Sequence, residues 1–151
     1  MRVYFWFKLL LGLSIILLLS CGDIPTCLDI ETSLVKIKFI DESGADKMIT
    51  ILSLGAIDNQ PGFPEYDSAT VTNLSLPLNP GAQVTTFILE QENVTDTLAL
   101  AYLAEAILIS PECGLDAAFS NLNIASTTYG NTRLVNSSIH ETVTVNIEIT
   151  L

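Results

Sequence analysis

Apolar and polar residues alternate along several short stretches of the chain, and a period of two is typical of half-buried β-strands. The stretch 34–40 (LVKIKFI) places Val35, Ile37 and Phe39 on one face and its two lysines on the other. The last ten residues, 142–151, alternate without interruption and form the clearest strand pattern in the chain. The residues of this last strand predicted to face inward are Val143, Val145, Ile147, Ile149 and Leu151, and those predicted to face outward are Thr142, Thr144, Asn146, Glu148 and Thr150.

Other stretches show the same pattern less regularly. The pair 34–40 and 48–54 predicts a hairpin, because a loop containing Gly44 separates two strand-like runs. A slip of phase at Asn73 indicates a β-bulge, and the polar run 125–136 is predicted to be a loop. The further predicted strands are 48–54, 69–78, 84–89 and 115–124.

The stretch 97–109 (TLALAYLAEAILI) is ambiguous. Its Ala, Leu and Glu residues favour a helix, whereas every second residue from Leu98 to Tyr102 is large and apolar, as in a strand. We predict two strands with a break near Ala104 and Glu105, and a buried helix is the alternative.

Together these patterns predict an all-β protein. About eight short strands, separated by turn residues and without a convincing amphipathic helix, indicate an antiparallel β-sandwich of about seven to nine strands. We predict that it forms a single domain over residues 33–151, a length that is enough for one hydrophobic core.

The first 21 residues have the pattern of an export signal. Arg2 and Lys8 give a basic start, the run 9–19 is almost wholly apolar, and Ser20 is small. The apolar run is shorter than the roughly 20 residues needed to span a bilayer. The ending Leu-Leu-Ser-Cys resembles the bacterial lipobox, which implies a diacylglyceryl thioether on Cys21. An ordinary secretion signal with an accidental cysteine, or an uncleaved anchor, is the alternative.

Cleavage before Cys21 would leave a signal peptide at 1–20 and a lipidated tether at 21–32. In lipoproteins the amine of this cysteine usually carries a further acyl chain such as palmitate. A single acyl chain binds a membrane only marginally, whereas two or three chains on one residue make release negligible. We therefore expect the protein to be anchored to a membrane through Cys21.

The charge of the mature chain is strongly negative. Once the signal is removed, four Lys and Arg residues stand against seventeen Asp and Glu residues, a net charge of −13. Such a surface repels nucleic acid and anionic membrane faces, so no nucleic-acid partner is expected. Solubility is the plain explanation of the charge, and attraction of divalent cations is the alternative.

Cysteine usage indicates a disulfide. With Cys21 assigned to lipid, Cys27 and Cys113 form an even pair in an exported, oxidising setting. We predict that they bond, which stabilises the fold by at most roughly 4–5 kcal/mol in the chain-entropy model. Two buried free thiols are the alternative. A metal site is not predicted, because two lone cysteines and one distant histidine lack ligand spacing.

Candidate catalytic residues are few. His140 is the only histidine, with Ser137, Ser138 and Glu141 close in sequence. Adjacent residues of an extended chain point to opposite faces, so Glu141 is poorly placed to orient His140, and no GxSxG motif occurs. No catalytic residue and no enzymatic activity are predicted. An envelope hydrolase that uses His140 is kept as the alternative.

Two groups of acidic residues are candidate ligand sites for a cation. Asp41, Ser43 and Asp46 surround Gly44 but do not match the spacing of a calcium loop, so a hairpin turn explains them. Glu90 and Glu92 form a possible carboxylate pair, but they flank a predicted turn and are expected to be solvated. No metal and no cofactor are predicted, although a calcium-stabilised adhesion or glycan-binding module remains an alternative function.

Two surface features have a possible role. Phe63 and Tyr66 are the only clustered aromatic residues outside the predicted strands, so they either form a binding surface or pack their loop against the body. Ser68 and Thr97 each follow an aspartate and precede an apolar residue, a pattern that resembles the O-glycan acceptor of exported Bacteroidota proteins. Both are predicted as possible glycosylation sites.

The mature chain resembles a family of small Bacteroidota lipoproteins of unknown function. The similar segments are the lipobox with a second cysteine at Cys27, then LVKIKFID, LSLPLNP with TTFIL, DTLALAY, ISPECG with FSNLN, and a final alternating strand. The resemblance implies an exported, anchored, β-rich domain that retains the second and third cysteines, and it implies no substrate. Surface-exposed lipoproteins of this phylum often carry several acidic residues directly after the lipidated cysteine, whereas here only Asp23 stands in that position.

These observations predict a non-enzymatic, lipid-anchored protein of the cell envelope. We expect it in the outer membrane, facing the periplasm rather than the cell surface. Its predicted role is binding or structural, with an envelope protein or a glycan as the partner.

Overall fold

The structure is a computed structural model, and it describes residues 33–57, 62–111, 113–140 and 142–151. The predicted signal peptide at 1–20 and the predicted tether at 21–32 lie outside the described residues, as do Cys21, Cys27 and Glu141.

The described residues form ten β-strands. They are β1 (Leu34–Ile40), β2 (Ile49–Ile51), β3 (Ser53–Ala56), β4 (Ala69–Val71), β5 (Asn73–Pro77), β6 (Val84–Glu90), β7 (Thr95–Ser110), β8 (Gly114–Thr127), β9 (Asn131–Leu134) and β10 (Ile147–Thr150). One turn of 3₁₀-helix, Pro64–Tyr66, lies between β3 and β4.

The all-β prediction is confirmed. Strands make up about 60% of the described residues, and no α-helix occurs among them. Two four-stranded sheets, in the orders β5-β1-β10-β9 and β3-β6-β7-β8, contribute to one apolar core, and β2 and β4 form a small third sheet. The residues that fill the core from the two large sheets are Val35, Ile37, Phe39, Leu74, Leu76, Ile147 and Ile149 on one side and Leu54, Phe87, Leu89, Leu98, Leu100, Tyr102 and Leu122 on the other.

One pairing in the sandwich is parallel. β1 lies between β5, which is antiparallel to it, and β10, which is parallel to it, with Ile37 opposite Ile147. The remaining named pairings are antiparallel. Alternation predicts which side chains are buried but not the direction of the neighbouring strand, so this pairing had no signal in the sequence.

Two of the predicted strands are each divided between sheets. The stretch 48–54 breaks at Leu52, so that β2 pairs with β4 while β3 pairs with β6. The stretch 69–78 breaks at Thr72, next to the slip of phase at Asn73, and β5 turns to pair with β1. The predicted hairpin is therefore short: Ile40 bridges Asp46, and the chain then leaves β1.

The stretch 97–109 is one continuous strand and contains neither the predicted break nor the alternative helix. The polar stretch 125–136, predicted as a loop, contains the end of β8 and all of β9. β9 was missed because it is an edge strand of four residues, with little apolar surface to bury.

The last strand is shorter than predicted, and the predicted facing of Asn146 and Leu151 is wrong. Only Ile147–Thr150 pairs as a strand, and Leu151 is exposed. Asn146, predicted to face outward, is completely buried beside Ile147. Its side chain accepts a hydrogen bond from the Lys36 amide and donates to the carbonyl oxygens of Asn136 and Ser138. Local hydrogen bonding therefore overrides the alternation at this position.

Candidate functional site

The most distinctive surface of the described residues is a two-stranded arm. β6 pairs with β7 only as far as Ala101, whereas β7 and β8 continue to pair up to Ser110 and Gly114. Beyond Ala101, β7 therefore has β8 as its one strand neighbour. We call residues 105–118 the β7–β8 arm.

The base of the arm is attached to the core. Ala104 and Phe119 are opposite each other in the pairing and pack against the core cluster. The Phe119 ring meets the Tyr102 ring edge to face, with 5.4 Å between their centroids. Near this base the register of β8 shifts, and Asn121 adopts a positive φ of 54°. Such an irregularity bends a strand pair and increases its twist.

The arm is apolar and open to solvent. Leu108 and Leu115, which are directly opposite each other, are 65% and 72% exposed. Ile107 and Ile109 are also exposed large apolar side chains. A two-stranded hairpin with solvent on both faces is marginally stable by itself, and apolar patches of this kind often mark interaction sites.

The two faces of the arm differ in charge. Residues opposite each other share a face, so Leu108 and Leu115 lie with the Ala106–Ala117 pair on the face that continues from the core. The other face carries Glu105 and Asp116 among its described residues. We call the first of these the uncharged face.

Cys113 lies at the tip of the arm. Its amide donates a hydrogen bond to the Ser110 hydroxyl, and Gly114 follows with a positive φ of 80°, a conformation that favours glycine. Cys113 is disulfide-bonded. The other two cysteines of the chain, Cys21 and Cys27, lie outside the described residues, so the predicted bond to Cys27 stays a prediction.

His140 lies on the surface just after buried Ile139. Its carbonyl oxygen accepts a hydrogen bond from the Val143 amide. The Ser138 amide donates a hydrogen bond to the side-chain oxygen of Asn136. Among the described residues, the imidazole has no hydrogen bond to a serine hydroxyl or a carboxylate. The described side chains of Ser137, Ser138 and His140 are therefore not joined by hydrogen bonds, Glu141 lies outside the described residues, and the hydrolase alternative stays untested.

The acidic loop after β1 is a self-contained turn. The Asp41 carboxylate accepts hydrogen bonds from the Ser43 hydroxyl, the Ser43 amide and the Ala45 amide. These bonds, that of the Ser43 hydroxyl first, hold the pKa of Asp41 below its ordinary value. Asp46 pairs with Lys38 at 2.7 Å, which raises the pKa of that lysine. Both carboxylates thus have partners within the hairpin, as the turn interpretation predicted.

Other acidic residues are dispersed. Glu90 accepts a hydrogen bond from the Ser53 hydroxyl at 2.7 Å. Within the parts of the chain that the structure describes, no three His, Cys, Asp or Glu residues come together in a group that could hold a metal ion. The same parts contain no helix long and apolar enough to cross a membrane.

The aromatic pair does not form an open binding surface. Phe63 is buried and packs against Phe87, with ring centroids 6.1 Å apart. The Tyr66 hydroxyl bonds to both the amide and the carbonyl of Ser75 on β5. These two residues therefore pack the loop before β4 against the body of the protein, which is the second of the two roles expected for them.

The two possible glycosylation sites differ in their surroundings. Ser68 is exposed in the turn before β4, with a positive φ of 55°. Thr97 is half-buried within β7, and its backbone bonds to Thr128 and to the hydroxyl of Thr127. Ser68 is therefore the more accessible hydroxyl, and glycosylation of either residue stays a prediction.

The family model described as a family of unknown function, DUF6452, matches residues 52–151. The chain belongs to this family. The match begins between β2 and β3, so the family region includes the whole arm and all of the second sheet. β1, at the centre of the first sheet, precedes the match. Comparison with curated proteins and comparison with solved structures found no match.

Apolar residues occur on both faces of the stretch 97–109, a pattern typical of a buried strand or helix, so the sequence did not predict the exposed arm. Within 97–109 the first half is indeed buried, from Leu98 to Tyr102, but Leu103 and the residues after it are exposed. Pro111 and Gly114 bracket Cys113 and indicate a turn or a strand entry at the cysteine, and in the structure this segment connects β7 and β8.

Proposed function

We propose that the protein is a lipid-anchored component of the cell envelope with a non-enzymatic binding or structural role. The observation that carries the proposal is the sequence at the N-terminus, where the apolar run 9–19 is followed by Leu-Leu-Ser-Cys. Cys21 would carry the lipid, and the β-sandwich would form the body outside the membrane. Membership of a family of unknown function is consistent with this role and adds no substrate.

The proposal includes no enzymatic activity. The candidate carboxylates Asp41, Asp46 and Glu90 are bonded to groups of the fold itself. The partner would be an envelope protein or a glycan, and the outer membrane facing the periplasm is the favoured location. Only Asp23 is acidic among the residues directly after Cys21, which supports that side.

The test is metabolic labelling of the expressed full-length chain with radioactive palmitate, followed by detergent phase partitioning. We expect label on the native chain and none on the Cys21→Ser variant, because serine lacks the sulfur that forms the thioether. A Cys27→Ser variant is the matched control and should be labelled like the native chain. Equal detergent partitioning of the native and Cys21→Ser chains would contradict the proposal.

A further inference from the structure

The predicted disulfide would place the tip of the β7–β8 arm close to the predicted lipid anchor. Cys113 is disulfide-bonded at this tip, and the predicted partner is Cys27, six residues after Cys21. Six extended residues span at most roughly 20 Å, and a disulfide joins Cα atoms no more than about 7 Å apart. If Cys113 is bonded to Cys27, the arm tip and Cys21 would lie within roughly 27 Å of each other.

Exposed apolar side chains occur on both faces of the arm, with Ile107 opposite Asp116 on the charged face, but only one face has no charge among its described residues. Leu108 and Leu115 stand opposite each other at the outer end of the arm, and the uncharged face that they share has no charged residue among those described. The described part of the arm contains no Lys or Arg, and its charged residues, Glu105 and Asp116, occupy the opposite face.

We propose that the uncharged face of the β7–β8 arm docks on the bilayer that holds the lipid anchor, with Leu108 and Leu115 inserted among the lipid headgroups and upper acyl chains. This inference rests on the proposed lipidation of Cys21 and on the predicted Cys27–Cys113 disulfide, and it goes beyond them because it assigns a second, protein-borne contact with the membrane. The occupant of the arm surface is then lipid rather than a second copy of the chain.

The physical basis is burial of exposed apolar side chains. Removing a leucine side chain from water is favourable, and a neighbouring anchor makes this contact intramolecular, so that even a weak contact is populated. The described charged residues of the arm, Glu105 and Asp116, lie on the opposite face and would point away from the bilayer. The membrane would thereby cover one of the two open faces of the hairpin.

The test uses tryptophan fluorescence, because the one tryptophan of the sequence, Trp6, lies in the predicted signal peptide. A Leu115→Trp chain is expressed with its lipid and reconstituted into phosphatidylcholine vesicles that contain brominated phosphatidylcholine. We expect a blue-shifted emission and loss of most of the fluorescence by quenching. Leu108→Trp, on the same face, should behave in the same way and guards against a local folding defect in either variant.

The matched control is Met48→Trp. Met48 is 70% exposed and lies with Val94 in a shallow surface depression at the other end of β7. About 14 residues of extended chain separate Val94 from Leu108, a distance of roughly 45 Å. The control tryptophan should therefore remain unquenched on the same vesicles.

The outcomes separate the two proposals. A chain that does not float with the vesicles overturns both the lipid anchor and the docked arm. A chain that floats while Leu108→Trp and Leu115→Trp stay unquenched keeps the anchor and overturns the docked arm. A blue shift that depends on protein concentration, without quenching, also overturns it and assigns the arm to contact between copies of the chain.

Discussion

Buried Asn146 shows how a single polar residue can fix a long loop. Its side chain makes three hydrogen bonds to backbone groups at Lys36, Asn136 and Ser138. Its backbone N–H donates a further hydrogen bond to the Lys36 carbonyl oxygen. These bonds attach the irregular segment after β9 to the central strand β1. A buried polar group is favourable only when its partners are present, so the network depends on the amide side chain as a whole.

We expect Asn146→Ala to lower the free energy of unfolding by about 3 kcal/mol, because it leaves buried backbone groups without partners. Chemical denaturation monitored by circular dichroism measures this change. Asn131→Ala, in the exposed part of edge strand β9, is the control and should change stability by less than about 0.5 kcal/mol. An Asn146→Ala chain as stable as the control would contradict the assigned role.

Tyr129 is buried like Asn146, but among the described residues its side-chain hydroxyl lacks the hydrogen bonds that Asn146 makes. Its ring is buried beside Phe39, and its hydroxyl has no hydrogen-bond partner within the part of the chain that the structure describes. Burial raises the pKa of the Tyr129 phenol, and the negative charge of Asp96 raises it further. The native state therefore keeps the proton at a pH at which the unfolded chain, with its ordinary tyrosine pKa of 10.0, loses it.

The raised pKa predicts a loss of stability as pH rises above 10, by at most about 1.4 kcal/mol per pH unit, because the unfolded state then binds fewer protons than the native state. Tyr129→Phe should reduce this loss and be neutral or slightly stabilising at pH 7. Tyr66→Phe is the matched control, since it removes a hydroxyl that bonds to Ser75, and should destabilise at pH 7. Urea titrations at pH 7 and above pH 10 measure both effects, and an unchanged alkaline slope in Tyr129→Phe would contradict the assignment.

At the scale of the elements, alternation predicted which strands form but not how far each one pairs. Leu34–Ile40 and Val84–Glu90 were recognised closely, because each buries every second residue in the core. The stretches 48–54 and 69–78 were predicted as single strands, whereas each changes partner at one residue. A change of sheet depends on which strands stand beside the break, and that information is not local to the sequence.

The β7–β8 arm is the element whose stability depends most on a covalent link. A hairpin with two open faces needs outside support, and Cys113 at its tip is disulfide-bonded. If the bond joins Cys27, it closes a long loop, which stabilises the native state by at most roughly 4–5 kcal/mol in the chain-entropy model.

Reduction of the disulfide is therefore expected to lower the thermal midpoint of the native chain, and Cys113→Ser should lower it to a similar extent. Added reductant should then have no further effect on Cys113→Ser, because the bond is already absent. Differential scanning calorimetry with and without reductant measures both. A Cys113→Ser chain that melts like the oxidised native chain would contradict a stabilising disulfide.

At the scale of the whole molecule, negative charge is widespread and poorly compensated. The mature chain is expected to carry a net charge of −13, and the salt bridges between Lys38 and Asp46 and between Arg133 and Glu148 lie at the surface. Surface ion pairs contribute little to stability, whereas a large net charge destabilises the compact state by self-repulsion.

Stability should therefore increase between low salt and about 0.15 M sodium chloride, at which the screening length falls to about 8 Å. Thermal melts of the mature chain at several salt concentrations measure the effect. Glu65→Lys, at an exposed position in the 3₁₀ turn, lowers the net negative charge and should make the increase smaller. A fall in the melting temperature with salt would show that the ion pairs outweigh the repulsion.

The sequence by itself determined the fold class, the inward residues of most strands and the turn around Asp41, because these follow from local period and local hydrogen bonding. Tertiary structure alone decided the parallel pairing of β1 with β10, the burial of Asn146 and the exposure of Leu108 and Leu115. Each of these depends on contacts between residues that are distant in the chain. An apolar run shows that burial would be favourable, but only the neighbouring strands determine whether the protein itself provides it.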